Sequence, residues 1–145
     1  MENNPYLTSS IDECKIIELA RHRHANGNLT VVEDGDPLPF KIARTYYTYD
    51  IPGGESRGGH SHNALHQLIV AISGSFEVLL DDGVNQRRVT LNVPYKALYS
   101  PPGIWKVLEN FSSGAVCLVL ASEHYDEDDY IRDYDKFLEA TKSKR

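Results

Sequence analysis

Apolar residues in this chain fall into short runs separated by turn-forming residues, which is the pattern of an all-β protein. The clearest turns are Asp34-Gly35-Asp36-Pro37, Asp81-Asp82-Gly83 and Pro101-Pro102-Gly103. The runs between the turns predict strands over residues 29–33, 40–49, 65–73, 75–80, 87–91, 96–100, 105–109 and 115–122. Residues 13–20 alternate weakly and predict an edge strand. Many short strands at regular spacing indicate a β-sandwich or barrel.

The end of the chain has a different period. Apolar and aromatic residues recur there at i, i+4, i+7 and i+8, which predicts a C-terminal helix over residues 128–141 whose stripe packs on the barrel: Tyr130, Tyr134, Phe137 and Leu138. The acidic residues 126–129 crowd the start of this helix and complement its dipole. Residues 21–28, which include His22 and His24, are polar and predict a solvated loop, so we expect these two histidines at the surface.

Composition narrows the classes of function. The 145 residues are most simply one domain, with residues 1–12 as a flexible N-terminus. A net charge of −6 argues against a nucleic-acid or anionic-membrane surface, and no apolar run approaches the roughly 20 residues of a membrane span. Only Cys14 and Cys117 are present, and two cysteines do not make a disulfide framework. The expected location is therefore the cytoplasm, with Cys117 as a small core residue.

The main candidate for chemistry is the stretch Arg57-Gly58-Gly59-His60-Ser61-His62. If it is extended, His60 and His62 lie on the same face, with Ser61 opposite. The two glycines leave room for the backbone to bend. Two neutral imidazoles beside the permanent charge of Arg57 suit either metal binding or proton transfer next to an anion.

The predicted strand over residues 40–49 is the strongest in the first half of the chain, and neither of its faces is purely apolar. Arg44 and Tyr46 share one face. Such a strand either lines a polar cavity or lies half exposed, and both interpretations remain open. Trp105, which follows the Pro-Pro-Gly turn, is expected in the core.

The spacing of several of these residues resembles the two-part pattern of the cupins, which are jelly-roll β-barrels with one internal site. The matching residues are Gly54, His60, His62, Gly74, Pro101, Gly103 and Asn110. Metal-binding cupins supply a Glu and a further His where this chain has His66 and Lys106. A lysine ammonium is no metal ligand, so the four-ligand set is broken and no metal is expected. A site of three histidines is the alternative.

The closer resemblance is to the sugar-nucleotide 3,4-ketoisomerases, a cupin family, in residues 40–47, 57–62, 74–75, 81–83 and 121–134. It implies that the enzyme moves the keto group of a dTDP-4-keto-6-deoxyglucose from C4 to C3 through an enediol, without a cofactor. By this resemblance His60 and His62 carry the protons and Arg57 stabilises the oxyanion or holds a phosphate. It also implies that Arg44 and Tyr46 bind the nucleotide-sugar. Lys106 adds positive charge to the substrate site, and the product would feed deoxyamino-sugar or cell-surface polysaccharide biosynthesis.

The resemblance also implies a homodimer, in which strands added across the interface cover open sheet edges, with residues 13–20 as the candidate strand. Two other functions remain open. A 3,5-epimerase would share the Arg-Gly-x-His stretch, but that family pairs its His with a catalytic Tyr and Asp in a longer chain. A cupin that binds a sugar or a metal without turnover is the alternative that is not an enzyme.

Overall fold

Two five-stranded antiparallel sheets, one two-stranded hairpin and one short helix make up the computed structural model, which describes residues 5–145. The strands are β1 (Lys15–Glu18), β2 (Ala20–His24), β3 (Gly27–Val31), β4 (Arg44–Thr48), β5 (Arg57–His62), β6 (Gln67–Ser73), β7 (Phe76–Asp81), β8 (Gln86–Leu91), β9 (Lys96–Ser100), β10 (Trp105–Glu109), β11 (Val116–Ala121) and β12 (Tyr130–Ile131). The helix α1 spans Tyr134–Ala140.

The first sheet has the strand order β1-β9-β6-β11-β4, and the second has the order β12-β5-β10-β7-β8. Side chains from both sheets form the main core, including Ile69, Val78, Leu80, Leu98 and Val119. Each of these strands directs apolar side chains toward this core, which is how a sandwich of two sheets buries one face of each. The all-β, jelly-roll prediction is confirmed, although the two sheets do not join into a closed ring within residues 5–145.

A second apolar cluster covers the outer face of the first sheet. It joins Leu68, Val70 and Leu120 of that sheet to Leu19 and Leu38 of the connecting segments. This cluster explains why residues 65–73 are apolar without alternation: β6 is buried on both of its faces.

Two predictions in the first half of the chain were wrong. Residues 21–28 are not a loop, because β2 and β3 form a hairpin in which His24 pairs with Gly27. The hairpin is exposed, so its polar composition concealed it, and His22 and His24 lie at the surface as predicted. The predicted strand over residues 40–49 begins only at Arg44, because the backbone N–H of Ile42 donates to the Asp34 side chain (2.8 Å) rather than to a neighbouring strand.

The helix prediction over residues 128–141 was too long. Residues 127–129 form a 3₁₀ turn and Tyr130 pairs with His62 across β12 and β5, so the helix starts only after Asp133, whose side chain accepts from the N–H of Lys136. Phe137 is fully buried and its ring centroid lies 5.7 Å from that of Trp105. The helix therefore packs on the second sheet, and Trp105 is a core residue as predicted. No helix within residues 5–145 is long and apolar enough to span a bilayer.

The N-terminal prediction was wrong for part of its range. Residues 1–4 lie outside the described residues, but Ser10 caps a 3₁₀ turn over Ile11–Glu13 through a capping box. The Ile11 side chain is buried, and its N–H donates to Asp82 Oδ2 at 2.7 Å. This end of the predicted flexible segment is thus held against the β7–β8 turn. The predicted edge strand exists as β1, and it pairs with β9 of its own chain.

Candidate active site

A glycine bulge sets the direction of the histidine strand. Lys106 pairs with His60 and Val107 pairs with Gly58, so Gly59 is the extra residue in β5. Gly58 and Gly59 have φ angles of 94° and 78°, a region that residues with a side chain rarely adopt. A Cβ atom at Gly58 would also lie 3.1 Å from the Lys106 carbonyl oxygen. The predicted backbone bend is therefore present, and it re-aims the two histidines that follow.

The two imidazoles lie together inside the protein. The ring centroids of His60 and His62 are 5.0 Å apart, and the rings meet edge to face at 84°. His62 is fully buried, whereas His60 is partly exposed. This geometry confirms the prediction that the two side chains share one face of an extended strand.

An aspartate stands behind the pair. Oδ2 of Asp129 lies 3.3 Å from Nδ1 of His62, a charge contact that is not aligned as a full hydrogen bond. The carboxylate is fixed, because it accepts the backbone N–H of Ala64 at 2.7 Å and that of Leu65 at 3.3 Å. An anchored carboxylate at Nδ1 favours the tautomer in which Nε2 is the free base, and it stabilises the imidazolium once that base is protonated.

Tyr130 completes the surroundings of the pair. Its ring centroid lies 4.3 Å from that of His62 and 5.2 Å from that of His60. The register of β12 against β5 produces these contacts, since Tyr130 is the cross-strand partner of His62. The Arg132 guanidinium lies over the Tyr130 ring in a cation–π contact, with its central carbon 4.3 Å from the ring centroid.

A cavity of about 120 Å³ opens beside His60. It lies between the two sheets, and its wall combines cationic, polar and apolar side chains: Tyr46, Thr48, Arg57, Gly58, His60, Gln67, Ile69, Lys106, Leu108, Cys117 and Val119. The structure therefore brings Arg57, His60, Tyr46 and Lys106 to one cavity. His62 and Arg44 are not part of its lining.

Burial keeps both imidazoles neutral. Burial, with smaller contributions from the nearby Lys106 and His62, lowers the pKa of His60 to about 3. Burial also lowers the pKa of His62 to about 4, where Asp129 opposes the shift. Both rings are thus available as proton acceptors at neutral pH, and the carboxylate makes His62 the more basic of the two.

Arg57 and Lys106 are two different kinds of cation. Arg57 is exposed and lines the cavity, and none of the ion pairs between described residues involves it. Lys106 is 2% exposed, and its Nζ donates to Ser100 Oγ at 3.3 Å and to the Ile104 carbonyl at 3.1 Å. One positive charge therefore faces the solvent and the other faces the protein interior.

Arg44 and Tyr46 lie on the same face of β4, as the alternation predicts. The Arg44 guanidinium carbon is 5.1 Å from the centroid of the Tyr46 ring. The Tyr46 hydroxyl accepts a hydrogen bond from Gln67 Nε2 at 2.8 Å, and burial raises the pKa of Tyr46 to about 12. This strand therefore lines a polar cavity, and Tyr46 enters it as a neutral phenol.

Unpaired polar atoms are concentrated here. Seven buried side-chain nitrogen or oxygen atoms within residues 5–145 have no hydrogen-bond partner, and five of these belong to Arg44, His60, His62 and Gln67. Buried polar atoms normally have partners, so this concentration is typical of a site that binds a polar ligand.

His66 does not join the other two histidines. Its Nδ1 lies 2.8 Å from the Tyr99 hydroxyl, and its ring stacks on Phe40 at 5.8 Å. These partners belong to the outer apolar cluster of the first sheet, so the three-histidine alternative is wrong. Among the residues that the structure describes, no group of three or more His, Cys, Asp or Glu side chains is placed to hold a metal ion.

Three site residues were missed from the sequence. Asp129 and Tyr130 were assigned to the helix, because the acidic run before an aromatic stripe has the composition of a helix start. Their role depends on the pairing of β12 with β5, which no local pattern announces. Gln67 did carry a signal, since it is the one amide at the start of the otherwise apolar run over residues 67–72.

Comparisons with known proteins give one consistent result. A family model described as "FdtA: WxcM-like, C-terminal" matches residues 12–142. The TDP-4-oxo-6-deoxy-alpha-D-glucose-3,4-oxoisomerase of Aneurinibacillus thermoaerophilus is 43% identical over 125 residues, which cover 86% of this chain and 90% of that protein.

Two solved structures are similar throughout. The TDP-quinovose 3,4-ketoisomerase WlaRB of Campylobacter jejuni is 42% identical with a TM-score of 0.85, over 89% of this chain and 99% of that chain. The sugar 3,4-ketoisomerase QdtA of Thermoanaerobacterium thermosaccharolyticum, bound to TDP, is 36% identical with a TM-score of 0.89, over 92% and 98%. A histidine-to-asparagine variant of QdtA has been crystallised with TDP-4-keto-6-deoxyglucose.

Proposed function

The chain belongs to the WxcM-like family of sugar 3,4-ketoisomerases, and from this premise we propose that it converts dTDP-4-keto-6-deoxyglucose to the 3-keto isomer. The observation that carries the proposal is the pair of adjacent imidazoles, His60 and His62. Asp129 contacts His62, and the wall of the neighbouring cavity contains the positive charges of Arg57 and Lys106. The reaction moves two protons and no electrons to or from a cofactor, so a pair of imidazoles is sufficient chemistry for it.

The C4 ketone acidifies the proton on C3. We assign the removal of this proton to His62, because the Asp129 carboxylate stabilises the imidazolium that forms there. His62 then gives this proton to O4, which leaves an enediol. His60, which has no carboxylate at its ring, takes the proton of the 3-hydroxyl and delivers it to C4 as the carbonyl forms at C3. This assignment requires the hexose to reach past His60 to Nε2 of His62, an atom that is buried and has no partner among the described residues.

Cationic and phenolic groups hold the substrate in this proposal. Arg57 stabilises the enediolate oxygen or holds a phosphate from the wall of the cavity, because its charge is permanent and its donors form a fork. Arg44 and Tyr46 bind the nucleotide-sugar on the β4 side. Lys106 supplies a buried positive charge to the wall of the cavity, which stabilises negative charge that develops on the sugar.

Incubation with dTDP-4-keto-6-deoxyglucose in D₂O, followed by ¹H and ¹³C NMR, tests the proposal. A C3 ketone together with deuterium at C4 is the expected result. The constellation of His62, Asp129 and Tyr130 favours a 3,5-epimerase as the second candidate, since that family uses a His, a Tyr and an Asp. Deuterium at C5 would identify the epimerase, and unchanged substrate without exchange would identify a protein that only binds.

We also propose a homodimer in the cytoplasm. Exposed apolar side chains at β1 and on the β2–β3 hairpin, Ile16, Leu29 and Val31, are the surface that a second copy would cover. Light scattering with size-exclusion chromatography should give twice the monomer mass, and Leu29→Glu should reduce it to the monomer value. The two cysteines are free and buried, as expected in a reducing compartment, and cell fractionation tests the location.

A further inference from the structure

Lys106 is a cation that the fold places inside the protein beside the histidine pair. It lies on β10, the middle strand of the second sheet, and is the direct cross-strand partner of His60. Side chains of directly opposed residues share one face of a sheet, so Lys106 extends into the same interior as His60. The residue is 2% exposed, which removes water from most of its length.

Within residues 5–145, no carboxylate forms an ion pair with this ammonium group. Its two hydrogen bonds go to the neutral acceptors Ser100 Oγ and Ile104 O. Two titratable groups influence the charge of Lys106 through electrostatic interaction. Cys14 is a buried thiol, and the Asp129 carboxylate already contacts Nδ1 of His62. A buried cation without an ion partner is costly to the fold, and a hydrophobic residue would stabilise the core more.

We propose that Lys106 is a positioning residue whose unneutralised charge acts together with burial to keep both imidazoles free of a proton, so that the pair meets the substrate as a base. This proposal rests on the proposed function for its catalytic consequence, although its electrostatic part stands on the structure. The cation repels a proton on either ring, and the two rings, whose centroids are 5.0 Å apart, repel a second proton from one another. The pair then holds at most the one proton that it takes from the sugar.

Other charged groups also raise or lower the proton affinity of the two imidazoles. Asp129 on the β12 side raises the proton affinity of His62, while Arg44 from β4 and Arg132 after β12 lower that of the pair. Glu127 raises the proton affinity of His60, but it is occupied by Arg132 through two hydrogen bonds. Burial still lowers the pKa of Lys106 to about 8, so this group carries its charge at neutral pH.

The test is a pH titration of the ¹⁵N-labelled imidazoles by NMR in wild type, Lys106→Met and Lys106→Arg. Lys106 and His60 are directly opposed across two strands, and at an effective dielectric constant of about 20 a like charge at such close range shifts a pKa by roughly 1 to 2 units. Lys106→Met should therefore raise the titration midpoints of His60 and His62 by that amount, and Lys106→Arg should leave them near the wild-type values. The acid limb of the isomerase pH profile should move upward with them.

Lys96→Met is the matched control, because it removes the same charge from an exposed position on strand β9 of the other sheet and should shift neither midpoint. Unchanged midpoints in a folded Lys106→Met protein would overturn the proposal. If that variant does not fold, the Lys106 ¹³Cε signal of wild type decides: a midpoint near 8 supports a desolvated cation, and one near 10.5 overturns it. Shifted midpoints in a protein that lacks isomerase activity would refute the proposed function and leave this inference standing.

Discussion

Asp129→Asn is the substitution that most sharply separates a proton-transfer site from a binding site. The change removes the charge 3.3 Å from Nδ1 of His62 and keeps the shape of the side chain. The amide oxygen of the substituted side chain can still accept the N–H of Ala64, so the turn after β5 retains one of its two anchors. The fold should therefore survive, with a loss of about 1 kcal/mol in the free energy of unfolding.

The expected effect on catalysis follows from Coulomb's law. Opposite charges about 4 Å apart attract by about 4 kcal/mol at an effective dielectric constant of about 20. The Asp129 side chain is 12% exposed and loses part of this attraction to desolvation, so we expect about half of it in the transition state. A loss of about 2 kcal/mol lowers kcat about 30-fold. KM should stay within about threefold, because Asp129 does not line the cavity.

The assay is the initial rate of 3-keto product formation by NMR, with Asp126→Asn as the control. Asp126 belongs to the same acidic run but only caps the 3₁₀ turn, by accepting the N–H of Asp128 at 3.0 Å. That control should keep kcat within about twofold. The acid limb of the Asp129→Asn profile should move to lower pH, because the lost carboxylate raised the pKa of His62. A folded Asp129→Asn protein with wild-type kcat would refute the assignment of His62 as the base.

Three further predictions concern the histidines and the glycine bulge. His62→Asn should abolish both product formation and solvent exchange at C3. His60→Asn should retain the exchange at C3 but form product about 10²-fold more slowly, or slower still, as measured by NMR in D₂O. Equal exchange in both variants would contradict the division of roles. The pKa values of His60 and His62 in the folded protein lie below the ordinary 6.5, so only the unfolded chain takes up protons at these residues as the pH falls from 6.5. The free energy of unfolding present above pH 6.5 should therefore decrease toward pH 4, by about 1.4 kcal/mol per pH unit for each histidine. Urea unfolding at pH 7 and pH 5 measures this loss, which should be smaller in either variant than in wild type. Gly58→Ala should lower the free energy of unfolding by about 2 kcal/mol in the same assay, because the φ angle of Gly58 is 94° and an added Cβ would press on the Lys106 carbonyl. Gly53→Ala is the control and should be neutral, because its Cβ would meet nothing within 4 Å.

The sequence predicted those parts of the fold that repeat a local pattern. The strands over residues 96–100 and 105–109 have the predicted bounds, because apolar content and flanking turns define them locally. The hairpin of β2 and β3 was predicted only in part. The predicted strand over residues 29–33 overlaps the end of β3, whereas β2 was assigned to a loop because its side chains are polar and exposed. The last helix was too long, because the pairing of Tyr130 with β5 outweighs a helical spacing of aromatic residues.

The candidate site was predicted in part, and the limit has the same physical origin. Residues that are close in the chain or share a strand face could be grouped from the sequence, and this gave the pairs His60 with His62 and Arg44 with Tyr46. Asp129 reaches His62 from a distant part of the chain through strand pairing, so only the structure shows the contact. Lys106 was recognised from a family pattern, but its burial and its neutral partners are properties of the folded sheet.

The most direct test of the central claim is the fate of an isotope label at C3. With [3-²H]dTDP-4-keto-6-deoxyglucose in H₂O, the account predicts a primary isotope effect on kcat/KM and a 3-keto product that carries solvent-derived protium at C4. Two results would contradict the claim that the imidazoles of His60 and His62 divide the proton transfers at C3 and C4. One is a product in which the C3 deuterium is transferred quantitatively to C4, and the other is turnover with no isotope effect and exchange only at C5.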